Sequence, residues 1–540
     1  MIFLLNYKDF TCEKDFTLNI KKLIARCKEN GENGIVFPKN TYKISGALAE
    51  ERYLYISNHD NGLRNVIFII EDMKDFTLDF SGSELIIDDT AVPFAIINSK
   101  NITIKNVSVR TVNPVSSYGY VTDCSEKGFT FRISGGSPII LRGSALSAST
   151  KNGRRVYYDR LNAWDKDTGY MTPEFPDLGL FGVPFSKTAD EEGNVSFTTT
   201  SPHYYKSGLK TGDKISLDTG SRESAGIYIA YSENIKIEGF TRYNGPGMGV
   251  IAQVSKDIEI SDMTIKPYDD SCFSICADAT HFVHCHGKIH IHDSYFEAQL
   301  DDALNVHGIY LRIVDKDENS LFLKFMHCQA QGIDFIKEGD TLETCDADSL
   351  IPKKRYTVKA VDKINAGYLK VEIEGGTEDI LIGDNVTEVS KAPEVIFENC
   401  TLKNNRARGM LLASAGKTII RNNLFDNPGA PIKFESDGTL WFESGGVKDV
   451  LIEGNTFKNC MYVKNSWGSK ALIDVMRRPK FEEGKYFHKK IEVSGNTFIN
   501  CHHPLASVNN TEEFIFKNNK LENCSDTENI IDYVKTYITE

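Results

Sequence analysis

A chain of 540 residues is too long for one compact core, so it is expected to form several domains or an elongated repeat architecture. Its formal net charge of -13 argues against nucleic acid as a partner, because phosphate binding needs clustered Lys and Arg. It also weighs against a strongly acidic polymer as substrate, unless a local basic groove interrupts the acidic surface. No run approaches the roughly 18 apolar residues that cross a bilayer, so no membrane partner is expected.

The chain opens on Met1-Ile2-Phe3-Leu4-Leu5-Asn6-Tyr7-Lys8-Asp9, an apolar run too short for a secretory leader and with no basic residue ahead of it. It reads as a first strand, and the protein as cytoplasmic, or as secreted if a leader has been removed. From Asp15 to Asn30 the residues Phe16, Ile20, Leu23, Ile24 and Cys27 recur at helical spacing, and Gly31 and Gly34 stop the run. This segment is the N-terminal cap, the plug that an open solenoid end requires, and Ile35 to Ile44 leads into the first coil.

One pattern, apolar-x-apolar-x-(Asn, Gly or Asp), then recurs nine times. It begins at Ile102, Ile235, Ile258, Ile289, Val395, Thr418, Val450, Ile491 and Phe514. Ile237 to Ile260, Phe397 to Ile420 and Val493 to Phe516 are each 23 residues apart. Period-two alternation marks short strands with one buried face, and the residue that closes each run tolerates the left-handed backbone of a turn. Strand-built repeats of this length predict an all-β fold, a parallel β-helix in which equivalent residues stack about 4.8 Å apart in columns.

The repeat is absent from about 113 to 222 and from about 309 to 392. Each gap is rich in short alternating strands and contains a Gly-Asp step, Gly212-Asp213 and Gly339-Asp340, leading into a strand. The expected division is therefore cap and first coils over 1–112, a small β-barrel-like insertion over 113–222 and central coils over 223–308. A second β-barrel-like insertion over 309–392 and the last coils over 393–540 complete it. A short closing helix is expected over Glu528 to Val534. The twelve cysteines do not form a disulfide framework, since Cys400, Cys460, Cys501 and Cys524 each follow an Asn at one place in the repeat and read as stacked reduced thiols. Asn399, Asn422 and Asn518 read as a structural ladder of side-chain amides.

Chemistry concentrates in the central coils. Asp278, Asp301 and Asp302 fall within one short stretch whose other residues are mostly apolar, small or histidine. Crowded carboxylates repel, so at least one holds a proton near neutral pH, which is what acid and base work on a sugar needs. Aligning Val250-Ile-Ala-Gln253 with Ile275-Cys-Ala-Asp278, Leu304-Asn-Val-His307, Leu411-Leu-Ala-Ser414 and Ile432-Lys-Phe-Glu435 predicts one solvent-facing column of Gln253, Asp278, His307, Ser414 and Glu435. Adjacent strand residues point to opposite faces, so Asp301 and Asp302 serve one site together only from a turn or bulge. Carboxylates at two heights on neighbouring coils are expected roughly 6.5 to 9.5 Å apart, the spacing of an inverting glycosidase. A plain solvated turn is the competing reading of the same residues.

The segments Cys276-Ala-Asp-Ala-Thr-His-Phe282 and Asp301-Asp-Ala-Leu-Asn-Val-His-Gly-Ile-Tyr-Leu-Arg-Ile313, preceded by Gly247-Met-Gly-Val-Ile-Ala-Gln253, closely resemble the α-1,3-galactosidases of glycoside hydrolase family 110. The resemblance extends over most of the chain. It implies a right-handed parallel β-helix and an inverting, metal-independent exo-hydrolase with no cofactor. The implied partner is a carbohydrate with terminal α-1,3-linked galactose, as in blood group B and linear α-galactosyl structures. Asp278, Asp301 and Asp302 match the family's acidic residues, with Asp301 or Asp302 expected as the acid and Asp278 with the remaining Asp holding the water.

Asn305, His307, Arg408 and Glu435 are expected near the groove as hydrogen-bond partners of galactose hydroxyls, or else as a solvated column. His281, His284, His286, His290 and His292 match no zinc signature and read as surface or loop histidines, so no metal is expected. Tyr157, Tyr158, Trp164 and Tyr170 offer an aromatic platform for a sugar, or fill the core of the first insertion. The alternatives are a polygalacturonase-like hydrolase, disfavoured because Val314 stands where that family carries a lysine, and a non-catalytic glycan-binding β-helix. A homo-oligomer is left open.

Overall fold

The computed structural model describes residues 3–4, 16–150, 153–174, 177–191, 193–476 and 482–539. Of the expected first strand, Phe3–Leu4 is a strand parallel to Gly34–Val36, and the rest of that stretch lies outside the described residues.

Among the described residues, thirty-two strands form one continuous hydrogen-bonded sheet wound as a parallel β-helix. Its longest ladder contains all nine repeats. Ile102 stands opposite Ile235, followed by Ile258, Ile289, Val395, Thr418, Val450, Ile491 and Phe514. Phe76 precedes this ladder and Tyr537 follows it. The inward residues stack into the core, as Phe425, Phe457 and Phe498 do at 4.9 Å between successive rings. Each such large apolar side chain removed from water contributes about 1.5–3 kcal/mol.

The turns that separate the strands follow from the polar residue closing each repeat. Asn399, Asn422 and Asn518 adopt positive φ of 54°, 56° and 55°. The amide ladder itself is built one residue later, which corrects the expectation. The backbone and side-chain N–H groups of Asn423 donate to Oδ1 of Asn455, both at 2.9 Å, and Asn455 and Asn496 repeat the arrangement toward Asn496 and Asn519. A backbone already in the left-handed conformation at Asn422 turns the next side chain inward, along the stack. Cys400, Cys460, Cys501 and Cys524 are free thiols.

The N-terminal helix Thr17–Asn30 buries Ile20, Leu23, Ile24 and Cys27 against the first coils and ends at Gly31, whose φ of 65° lets its N–H reach the carbonyls of Cys27 and Lys28. At the other end, Ile530–Thr539 is a strand parallel to Ala506–Lys517, and no closing helix forms. The unpaired backbone groups of the preceding coil offer a full ladder, which a helix of only two turns cannot match.

Both insertions leave the solenoid without disturbing its register, since Ile235 pairs with Ile102, and Val395 with Ile289, across the gaps. The first contributes a seven-stranded antiparallel sheet and a separate three-stranded one. The second is a closed six-stranded barrel running from Leu311–Lys316 to Asn385–Glu388.

Candidate active site

The strand Thr280–Val283 is flanked by Val250–Gln253 and Leu304–Ile309, with Thr280 opposite both Val250 and Leu304, and Leu304 in turn opposite Met410. Counting back two residues from each puts Asp278, Asp302 and Arg408 at one level on successive coils. The column drawn from sequence does not form, because Gln253 stands opposite Val283, Val283 opposite His307, and His307 opposite Ala413. Ile275-Cys-Ala-Asp carries the same alternation as the real strand but is spent rounding the turn before it. Asp301 and Asp302 likewise occupy the bend ahead of Leu304, which is how two adjacent carboxylates reach one site.

One oxygen from each of Asp278, Asp301 and Asp302 lies within 4.8 Å of the others. Oxygens approach this closely because Asp278 and Asp302 stand on neighbouring coils and Asp301 adjoins Asp302 in the bend. Asp278 and Asp302 are buried, at 2% and 0% exposure, whereas the Asp301 side chain remains 18% exposed. The three line a cavity of about 500 Å³, a size suited to a small ligand. Asn58, residues 220 and 222 of the first insertion, Gln329 of the second, and Asp437, Leu440 and Trp441 also border it.

The electrostatics separate the three acids. Burial, with Asp301 alongside, pushes Asp278 up to about 8. Burial alone would raise Asp301 too, but Arg406, Arg408 and Arg222 outweigh it and hold its carboxyl below the ordinary range. Arg222 donates to Asp301 at 3.1 Å. Burial also lifts Asp302, which Arg408 opposes with a two-pronged contact, Nε to Oδ1 at 3.0 Å and Nη2 to Oδ2 at 2.9 Å. Both oxygens of Asp302 act as acceptors in that fork, the geometry of a carboxylate. The cluster could bring three oxygens to a cation, but the carboxylates of Asp301 and Asp302 already face Arg222 and Arg408 and Asp278 Oδ2 faces His281, so the residues do not fit a divalent metal.

Among the described residues, every cation on the cavity wall has a carboxylate partner. Arg160 pairs with Asp218, Arg222 with Asp301, Arg406 with Asp177, Arg408 with Asp302 and Lys433 with Glu435. Of the residues expected to bind sugar hydroxyls, Asn305, Arg408 and Glu435 line the cavity. His307 stands behind it, in contact with His281. His281 and His284 are buried, not surface histidines as expected. His281 bonds Asp278 and His307, and His284 packs on Phe335 and bonds Glu388. His290 and His292 stack on the outer face, where His290 bonds Glu398 and His292 bonds Asp293.

None of the four expected platform aromatics borders the cavity. Trp164 and Tyr158 are core residues, and Trp441 and Trp467 line the cavity in their place. Trp467 carries the guanidinium of Arg406 over its ring and donates Nε1–H to Asp177. Arg222, Arg406, Glu443 and both tryptophans carried no sequence signal, because neither the coil repeat nor a motif singles them out.

Residues 320–386, within the closed barrel, match the family described as GLAA-B beta-barrel domain II. Alpha-1,3-galactosidase A of Shewanella woodyi is 28% identical over 534 residues, covering 94% of this chain and 83% of that protein. Alpha-1,3-galactosidase B of Bacteroides fragilis is 27% identical over 529 residues, covering 93% and 87%. Among solved structures, an exopolygalacturonase from Thermotoga maritima superposes with a TM-score of 0.44 at 10% identity, covering 100% of this chain and 92% of that one.

Proposed function

We propose that this chain, a homologue of the α-1,3-galactosidases over nearly its whole length, is an exo-acting glycoside hydrolase that releases terminal α-1,3-linked galactose with inversion. The observation that carries the reading is the convergence of Asp278, Asp301 and Asp302 on one cavity, in a chain that aligns with those enzymes over 93–94% of its length. Both insertions and residues 437–441 border the cavity, which suits a chain end better than a polymer running through. The pairing of every described wall cation leaves none of them free for a uronate carboxylate, which favours a neutral sugar.

The close carboxylate spacing suits activation of a water. A water at about 2.8 Å from each of two oxygens bridges up to about 5.6 Å, so oxygens within 4.8 Å can hold it between them. Asp301, ionised and the most exposed of the three, takes the water's proton as its oxygen bonds to C1. The proton kept by the buried pair Asp278 and Asp302 passes to the glycosidic oxygen as the C1–O bond breaks. Asn305 and Glu435 are assigned to sugar hydroxyls.

Incubation of the purified chain with α-1,3-galactobiose tests this, with p-nitrophenyl α-galactoside and polygalacturonate as comparators. Free galactose from the disaccharide and no product from polygalacturonate are expected. Products from polygalacturonate alone, or from none of the three, would overturn the proposal.

A further inference from the structure

Tyr462 and Trp467 both pack against one buried cluster that contains Trp164, Met171 and Cys276. Trp467 lines the active cavity, whereas Tyr462 lines a second cavity of about 520 Å³, formed where the 165–173 stretch of the first insertion meets turns of the last coils. Among the described residues the two cavities share no lining side chain.

The walls of the second cavity are fixed. Met171 N–H donates to Oδ1 of Asn404 at 3.2 Å, Asn404 Nδ2 to the carbonyl of Gly169 at 3.0 Å, and Lys464 N–H to the carbonyl of Pro173 at 2.8 Å. These bonds tie the insertion to the coils beside the cavity. Tyr170 donates its hydroxyl to Asp426 Oδ2 at 3.0 Å, and its ring meets that of Tyr462 edge to face, with centroids 5.5 Å apart. A cavity with anchored walls costs little to order when a ligand enters.

The chemistry of the wall narrows the occupant. Asn523 Nδ2 donates to Asn500 Oδ1 at 2.7 Å, Asn500 Nδ2 to Asn459 Oδ1 at 3.1 Å, and the Asn459 amide to the Tyr170 hydroxyl at 3.4 Å and to Asp426. A primary amide has two N–H donors and an oxygen with two lone pairs. Asn500 therefore keeps one N–H and one lone pair outside this ladder, and Asn459 keeps one lone pair. His502 adds Nε2, since its Nδ1 is engaged by Ser525 Oγ at 3.0 Å. The carboxylate and ammonium on the wall, Asp165 and Lys210, are opposite in sign. A purely apolar ligand would strip water from the amides and leave them unpaired, and an ion would be opposed by one of the two charges. A pyranoside meets both demands, with a C–H face for the tyrosine rings and hydroxyls that donate and accept at its edge.

We infer that this cavity is a second carbohydrate site, holding a neutral pyranoside apart from the cleaved bond. Tyr170 and Tyr462 cover its C–H face, and Asn459, Asn500 and His502 pair with its hydroxyls. No bond is made or broken there. The choice of a sugar rests on the glycoside hydrolase reading above, whereas the cavity and its polarity stand without it.

Met171 lines this cavity, and among the described residues no methionine lines the active one. Titration of lactose, a neutral disaccharide, into the full chain labelled with [methyl-13C]methionine therefore reads occupancy, with Met171→Leu assigning the signal. The expected result is a saturable displacement of the Met171 signal, with the midpoint weakened about fivefold in Asn500→Ala and in His502→Ala, the worth of one hydrogen bond. His502 is exposed, so its variant keeps the test decisive even where Asn500→Ala fails to fold. A Met171 signal that lactose leaves in place, a midpoint unchanged in the folded variants, or an equal midpoint with galacturonate overturns the site. Galactose release from α-1,3-galactobiose is followed separately. Its absence while lactose still displaces Met171 sinks the hydrolase reading alone, and its presence while Met171 stays in place sinks the second site alone.

Discussion

The backbone N–H of Asp302 donates to Oδ1 of Asp278 at 3.2 Å, so two of the three acids in the cavity are tied together across neighbouring coils. Moving either one moves the other, and the site behaves as a unit, not as separate groups.

Asp301→Asn removes the ionised carboxylate that faces the cavity while keeping its shape. Loss of a general base of this kind lowers kcat by about 10²–10⁴-fold, with thermal stability little changed. Turnover within a factor of a few of the parent would remove Asp301 from the base role.

Asp302→Ala leaves Arg408, which is 21% exposed at its side chain, facing Asp301 alone at 3.7 Å. Breaking a buried pair in this way is expected to destabilise the protein by about 3–5 kcal/mol, read as a lowered denaturant midpoint. Asp302→Asn, which keeps one acceptor for the fork, should lose less. Equal midpoints for the two variants would show that the bidentate contact contributes little.

The raised carboxyl of Asp278 predicts a pH-dependent stability of definite sign. Its folded value of about 8 lies above the value near 4 expected of an unfolded Asp. Its contribution is thus full below about pH 4 and is lost as pH rises through 8. Compared with Asp278→Asn, which mimics the protonated form at every pH, the parent protein should lose melting temperature between pH 5 and 9. Parallel curves for the two proteins would contradict a protonated Asp278. Asp301 carries the opposite sign, since its depressed value contributes stability that is lost only on acidification.

Asn455→Ala removes a rung from the amide ladder, depriving Asn423 of the acceptor for two N–H groups and Asn496 of one of its two donors. The backbone N–H at position 455 would still reach Asn496, so the loss is expected to be about 2–4 kcal/mol, measured by chemical denaturation, without a change in KM.

The solenoid was legible because its buried face demands apolar residues at period two in every coil, and the ladder from Ile102 to Phe514 repeats that demand nine times. The second strand was not. Around Asp278 the turn itself, Ile275-Cys-Ala-Asp, is buried and therefore apolar, so it mimics the strand that follows. The acids were legible as a cluster and Arg408 as a groove residue, but Arg222 and Arg406 were not, because Arg222 reaches Asp301 across 79 residues and Asp177 reaches Arg406 across 229. No local pattern encodes such contacts. They depend on where the first insertion folds back over the coils.

Time-resolved 1H NMR of the parent protein hydrolysing α-1,3-galactobiose is the most direct test of a water activated within the Asp278, Asp301 and Asp302 cluster. The β-anomer of free galactose should appear first and mutarotate to the α-anomer only afterwards. First appearance of α-galactose would require a covalent sugar intermediate in place of the bridged water, and no galactose signal would contradict the assignment of this cavity to galactoside hydrolysis.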